Sequence, residues 1–244
     1  IVDAIQGGAG TSANMNANEV IANRADELLG GTKGSYQHVH PNDHVNMAQS
    51  TNDIIPSAGK LTVLKLLVPL FRELERLLNA LLEKSKQFDH ILKMGRTQLQ
   101  DAVPMRLGQS FHAYASVIQR DIHRLENAQK EMYRLNMGGT AIGTAINVSH
   151  SYLQHICPKI AELTGLPFAS ADDLFDATQN LDGFVTVSSS LKTCAVNLSK
   201  LCNDLRLLSS GPRTGFAEIT LPPKQNGSSI MPGKICLLYT SPSP

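Results

Sequence analysis

Apolar residues recur at alternating spacings of four and three through three long stretches of this chain, and a pattern of that length admits little besides long α-helices. In the first stretch Val63, Leu67, Leu70, Leu74, Leu77 and Leu81 share one side, with Arg72, Glu73, Glu75 and Arg76 on the others. Pro69 lies within it. A proline removes one backbone donor and crowds the preceding turn, so it predicts a kink or a joint there. The second stretch, 109–136, places Phe111, Tyr114, Ile118, Ile122, Leu125 and Met132 on one side and stops at Gly138-Gly139. The third, 183–210, carries Val187, Leu191, Cys194, Leu198, Leu201, Leu205 and Leu208 at strict four-three spacing, the pattern of a bundle seam.

Shorter helices are predicted over 151–164, ending at Gly165 with Pro167 beyond, and over 16–29, with Asn16 as the capping residue and Gly30-Gly31 as the stop. Almost nothing reads as strand, so the predicted fold class is all-α. The long helices would span about 35 to 40 Å at 1.5 Å per residue. One chain of this length has too few partners for helices so long, so the expected architecture is a long-helix bundle completed by oligomerisation.

The 244 residues carry a net charge of +1, with 18% charged and 42% hydrophobic residues, a balance that supports a large core. Basic and acidic residues are interleaved, so no single-sign surface is available for a phosphate backbone or an anionic membrane. No apolar run approaches the ~20 residues of a membrane span, and Ile1-Val2-Asp3-Ala4 has neither the basic nor the apolar part of a signal peptide. The expected partners are therefore small molecules and protein, with no nucleic acid and no membrane, in the cytoplasm. Cys157, Cys194, Cys202 and Cys236 lack close metal-type pairing, and Cys194 and Cys202 fall in an apolar helical pattern where buried thiols are common. No structural disulfide is expected.

The chain opens without Met and in mid-pattern, which reads as a piece of a longer polypeptide lacking both ends. After Lys234 the residues Ile-Cys-Leu-Leu-Tyr-Thr-Ser-Pro-Ser-Pro have no helical period, and 235–244 reads as a non-native tail.

Four connecting segments, Gln6 to Asn16, His38 to Asp53, Gly95 to Pro104 and Gly211 to Lys234, are rich in Gly, Ser, Thr and Asn. A scaffold needs only short, bland connections. Clustered hydroxyls, amides and backbone N–H groups suit a ligand rich in carboxylate oxygen.

Gly227-Ser228-Ser229-Ile230-Met231-Pro232-Gly233-Lys234 resembles the signature loop of the fumarase, aspartase and argininosuccinate lyase superfamily. That loop usually continues to an Asn two residues after the Lys, where this chain has Cys236. The same family's blocks are resembled, in order, by Gly10-Thr11-Ser12, the run from His40 to Asn46, Gln49-Ser50-Thr51-Asn52-Asp53, Gly95-Arg96-Thr97-Gln98, Gly138-Gly139-Thr140-Ala141 and Ser210-Gly211-Pro212-Arg213. Within the superfamily, the stretch from Gln6 to Ser12 and that from Gly95 to Pro104 look more like the aspartase branch, since fumarases usually carry Gly-Ser-Gly-Thr and Arg-Thr-His there. Gln98 departs from the His-bearing members and argues against a histidine acid or base at that site.

The resemblance implies a layout of 1–50 as the end of a small N-terminal domain and 51–234 as a truncated central helical-bundle domain. It further implies a homotetramer whose active sites are assembled from loops of three subunits, and reversible anti elimination of ammonia from L-aspartate to give fumarate through an enediolate-like, aci-carboxylate intermediate. The family's base is the first Ser of the loop, here Ser228; Thr11, Ser50, Thr51, Asn52, Thr97, Gln98 and Lys234 fall on substrate-binding positions. An isolated Ser hydroxyl is a poor base, so its deprotonated form must be favoured by loop N–H groups and the Lys234 charge. No organic cofactor is required; a divalent cation such as Mg2+ enters only as an activator known in the family. The rivals are a fumarate hydratase, which shares the intermediate, and a catalytically inert helical-bundle fragment.

Blander readings attach to some of these residues. Gly-Ser-Ser alone is an ordinary flexible linker. His38, His40 and His44 have a spacing that tempts a zinc assignment, but no Cys or acidic cluster completes the set, and Asn42-Asp43 reads as a turn. The resemblance instead places His40, Asn42 and Asp43 near a secondary anion or regulatory site. Arg213 serves as readily in an ion pair as in a carboxylate clamp and is not counted among the catalytic residues.

Overall fold

The computed structural model describes residues 5, 9–211 and 213–222. Its elements run α1 (Thr11–Leu28), a π-helical turn at Pro41–Val45, α2 (Thr51–Gln87), β1 (Leu92–Thr97), β2 (Gln100–Arg106), α3 (Leu107–Ala128), a 3-10 turn at Gln129–Tyr133, β3 (Arg134–Leu135), α4 (His150–Thr164), β4 (Ala169–Ser170), α5 (Leu174–Gln179) and α6 (Asp182–Leu208). The predicted all-α class holds: among the described residues the strands amount to one antiparallel hairpin, β1–β2, and a two-residue parallel pair, β3–β4.

The chain divides into two units, residues 1–69 with 127–187, and residues 70–126 with 188–244. The division falls at Pro69, inside the single helix α2, where the sequence predicts a kink or a joint.

In the first unit Leu64, Ala128, Met132, Leu135, Met137, Cys157, Phe168 and Val187 form the buried core. Serine 149 caps α4, its Oγ accepting the Tyr152 amide, and Gly165 closes that helix at φ 69°, the left-handed conformation glycine takes without strain. Helix α1 begins at Thr11, five residues before the predicted start, so Asn16 lies inside the helix and caps nothing. The reason is Gly10, whose φ of 92° turns the chain into the helix without a side-chain cap. Near its other end Asp26, fully buried, accepts the amides of Gln37, His38 and Val39 and so holds the strap that follows α1. Burial pushes that carboxyl up, and the three amide bonds outweigh it and leave it below its ordinary value.

In the second unit α3 buries Phe111, Tyr114, Ile118, Ile122 and Leu125, as its stripe predicts. The α-helix stops at Ala128 and not near Gly138-Gly139; a 3-10 turn follows, and its Met132 is buried in the core of the first unit. Asp121, buried in α3, takes both of its carboxylate oxygens to Asn197 Nδ2 on α6 at 2.9 Å and also pairs with Arg124. A fully buried carboxylate is tolerable only when paired and hydrogen-bonded.

On α6 the predicted seam splits: Val187, Cys194, Leu201 and Leu208 are buried, whereas Leu191 is 39% exposed. Along α2, Leu64, Leu67, Leu74 and Leu81 are buried while Leu66 and Val68 are exposed. By length and composition α2 is long and apolar enough to cross a membrane, although Lys60 and Lys65 interrupt its apolar run. One-sided periodic burial is also the pattern of a bundle helix.

Replacing Asn197 by Ala leaves Asp121 with Arg124 alone, and the expected loss of stability is about 1–3 kcal/mol. Urea denaturation should show a lower midpoint at an unchanged slope, whereas an unchanged midpoint would remove this bond from the account.

Candidate functional site

Ser50-Thr51-Asn52-Asp53 forms a reciprocal cap at the start of α2. Ser50 Oγ accepts the Asn52 amide at 3.2 Å, and Asp53 Oδ1 accepts the Ser50 amide at 2.9 Å. The sequence S-x-x-D is the pattern of such a cap, so this much could have been read before the structure. Asp53 was nevertheless passed over as a site residue.

The other oxygen of Asp53, Oδ2, accepts the amides of Gly138 at 3.2 Å and Thr140 at 3.1 Å. The turn that offers them is tightly wound: Gly138 has φ 86° and Thr140 has φ 60°, a left-handed conformation that costs a threonine about 1–3 kcal/mol. Asn136, fully buried, donates to the Asn52 carbonyl at 3.0 Å and to Thr178 Oγ1 at 3.1 Å, and Asn52 Nδ2 donates to the Ala141 carbonyl at 2.7 Å. Desolvation dominates at Asp53 and pushes its carboxyl above the ordinary range, the amides of Ser50, Thr140 and Gly138 pulling against it.

Thr51 and Asn52 line a cleft of about 740 Å³ together with Ala9, Ile55, Ala141 and Thr178 among others. Asn14 Nδ2 on α1 donates to Thr51 Oγ1 at 3.3 Å and to Asn46 Oδ1 at 3.2 Å, tying α1 to the site. The start of α1 is close: a Cβ on Gly10 would come within 2.9 Å of Ile55 Cγ1. Thr11 is thus placed at the N-terminus of α1 beside the first turns of α2, with Ser50, Thr51 and Asn52 gathered at the N-terminus of α2. The amides that open α2 are taken up by its own cap, Asn52 by Ser50 Oγ and Asp53 and Ile54 by the Ser50 carbonyl, so what the two helix starts offer this region is the positive end of each helix dipole.

The π-turn uses its own amides. His40 Nδ1 accepts from Asn42 and Asp43 at 3.3 Å each, and His44 Nδ1 accepts the His40 amide at 2.8 Å. Among the described residues no group of three or more His, Cys, Asp or Glu side chains is placed to hold a metal ion.

Thr97 and Gln98 belong to the second unit. Gly95 to Pro104 folds as the β1–β2 hairpin where the sequence suggests only a loop, and Thr97 pairs with Gln100 across a two-residue turn. Its central residues, Gln98 and Leu99, have φ 51° and 64°, a geometry that ordinarily selects Asn-Gly. That mismatch is why the hairpin is illegible in the sequence. Beneath it Glu218, 15% exposed, pairs with Arg96 at 2.5 Å and Lys93 at 3.1 Å, and the Arg96 guanidinium lies 4.1 Å from the centre of the Phe216 ring. Burial alone would raise the Glu218 carboxyl, but the two cations hold it below its ordinary value. Gln98, Arg96, Lys93, Tyr114, Asp204 and Phe216 help line a second cavity of about 410 Å³. Burial and the Asp204 carboxylate, which accepts the Tyr114 hydroxyl at 3.1 Å, push the Tyr114 phenol well up.

Ser228, Lys234 and the 235–244 tail lie outside the described residues. Arg213 is exposed.

Changing Gln98-Leu99 to Asn-Gly should raise the denaturation midpoint, by about 1–2 kcal/mol in stability, because both left-handed positions are relieved. A lower midpoint would mean that the two side chains hold the hairpin by contacts that outweigh its strain.

Comparison with known proteins supplies what the geometry alone does not. The model of the family described as Lyase matches residues 1–235. Two curated relatives, the aspartate ammonia-lyases of Bacillus subtilis (strain 168) and Helicobacter pylori (strain ATCC 700392 / 26695), are 55% and 57% identical over 235 residues, 96% of this chain and 50% of theirs. A solved structure, the fumarate lyase:delta crystallin from Brucella melitensis bound to cobalt, superposes with a TM-score of 0.92 at 51% identity, covering 96% of this chain and 51% of that one. The chain spans about half the length of the curated relatives it matches.

Proposed function

The chain belongs to the Lyase family, and from that premise we propose that the protein carrying it is an aspartate ammonia-lyase, acting in the cytoplasm as a homotetramer to eliminate ammonia reversibly from L-aspartate and give fumarate. What carries the reading is the 55–57% identity to aspartate ammonia-lyases across 96% of the chain. The family match, residues 1–235, includes the positions of Ser228, Lys234 and all the substrate-binding residues named above.

In this mechanism Ser228, as alkoxide, takes the proton from the carbon beside the β-carboxylate. The electron pair moves into that carboxylate, which becomes the doubly charged aci-carboxylate. The pair then returns to form the carbon–carbon double bond as the C–N bond on the opposite face breaks and ammonia departs. The carbon acid is very weak, so the rate depends on donors that bind the carboxylate more tightly as its charge grows.

Thr51 and Asn52 offer such donors from the positive end of α2. Ser50 Oγ already accepts the Asn52 amide, so its hydroxyl proton is available to a carboxylate oxygen. Thr11, Thr97, Gln98 and Lys234 complete the set. Gln98 is a neutral amide and binds without exchanging a proton at neutral pH. One well-aimed donor of this kind contributes about 3 kcal/mol to the barrier. No organic cofactor enters any step.

The tetramer draws its support from apolar side chains left uncovered on the long helices, among them Leu66, Val68, Val185 and Val196. Such residues on bundle helices ask for further helices.

The test is the ultraviolet absorbance of fumarate, followed with L-aspartate and separately with L-malate, on the full-length protein and its Ser228→Ala variant. Fumarate should form from L-aspartate alone, and the variant should be slower by roughly 10²–10⁴-fold, the usual worth of a general base. Fumarate from malate alone would make the protein a hydratase, and none from either substrate would favour an inert bundle.

A further inference from the structure

We propose that Asp53 is a positioning residue for the proposed lyase reaction: its two carboxylate oxygens clamp the substrate-binding start of α2 to the left-handed turn at 138–140, and so set where Thr51 and Asn52 present their side chains. The inference rests on the reading of Thr51 and Asn52 as substrate-binding residues.

The geometry divides the work between the two oxygens. Oδ1 holds the Ser50 amide and thereby the cap of α2; Oδ2 holds the Gly138 and Thr140 amides 85 and 87 residues away in sequence. A strained turn persists only where its surroundings over-determine it. Here two amides of the turn converge on one oxygen, and Asn136, two residues before Gly138, ties the same segment to the Asn52 carbonyl. From the other side Asn52 Nδ2 reaches the Ala141 carbonyl, so a shift of the turn moves the Asn52 side chain directly.

The chemistry of the carboxylate is also particular. Three N–H donors demand three acceptor sites, which a carboxylate supplies and a carboxamide does not, because one of its two terminal atoms is itself a donor. Asp53 has no exposed surface, so water cannot take over a lost bond. Asp53 does not itself line the cleft and is assigned no contact with the substrate; it acts through Thr51 and Asn52. Displacing a binding group by about 1 Å is enough to cost on the order of 10²-fold in rate.

The experiment compares Asp53→Asn with the wild type in the full-length protein, measuring kcat and KM for L-aspartate well below each protein's own melting temperature. A loss that is merely structural reduces the folded, active fraction, which lowers apparent kcat and leaves KM where it was. Displacement of Thr51 and Asn52 should instead raise KM at least fivefold and lower kcat/KM tenfold or more. Asn136→Ala removes a neighbouring tie without touching the buried carboxylate, and should raise KM in the same direction; it decides the matter if Asp53→Asn does not fold. Unchanged KM in the folded variants would overturn the proposal while leaving the lyase reading intact. A wild type that makes no fumarate from L-aspartate would remove the lyase reading, and this catalytic role with it.

Discussion

A carboxylate buried without any exposed surface has to be satisfied by the protein, and at Asp53 it is satisfied by backbone amides from two distant segments. That requirement organises the candidate site. It joins the cap of α2 to the turn at 138–140, and the rest of the local network, Asn136 to Asn52 and Asn52 to Ala141, runs between the same two segments. Asp26 solves the same problem with the amides of three consecutive residues, and there the hydrogen bonds win over burial, whereas at Asp53 burial wins. One carboxylate fastens a local strap; the other holds a strained turn against a helix end.

The long helices carry the second constraint. A stripe with a seven-residue period buries one line of α6, Val187, Cys194, Leu201 and Leu208, and leaves Leu191 partly in solvent. In the second unit the apolar contacts of α3 and α6 are supplemented by Asp121 and Asn197, a directional bond that fixes register where leucines alone would tolerate sliding. The uncovered apolar positions on α2 and α6 are the physical motive for the proposed homotetramer.

Much of this was legible in the residues because helical periodicity is a long-range, redundant signal. The burial of Phe111, Tyr114, Ile118, Ile122 and Leu125 follows from spacing alone, and the stop of α4 follows from Gly165 with Pro167 beyond it. The failures occurred where geometry overrode composition. The hairpin over 92–106 was hidden by Gln98 and Leu99, residues that do not advertise a left-handed turn. The start of α1 was misplaced because a glycine in an unusual conformation, and not Asn16, begins it. At the site, Ser50, Thr51 and Asn52 fell on substrate-binding positions by family resemblance; Asp53 lay in the same resembling block with no role assigned to it, and Asn136 lay in none. Their importance lies in bonds to residues more than eighty positions away, which no local pattern encodes.

The central claim, anti elimination of ammonia through a carbanion-like intermediate beside the β-carboxylate, is tested most directly in reverse. Fumarate and ammonium are incubated with the full-length protein in D2O, and the product is read by proton NMR. The account predicts L-aspartate carrying a single deuteron at the β-carbon, added to the face opposite the new amino group. Malate as the product, or aspartate labelled on both faces, would contradict it.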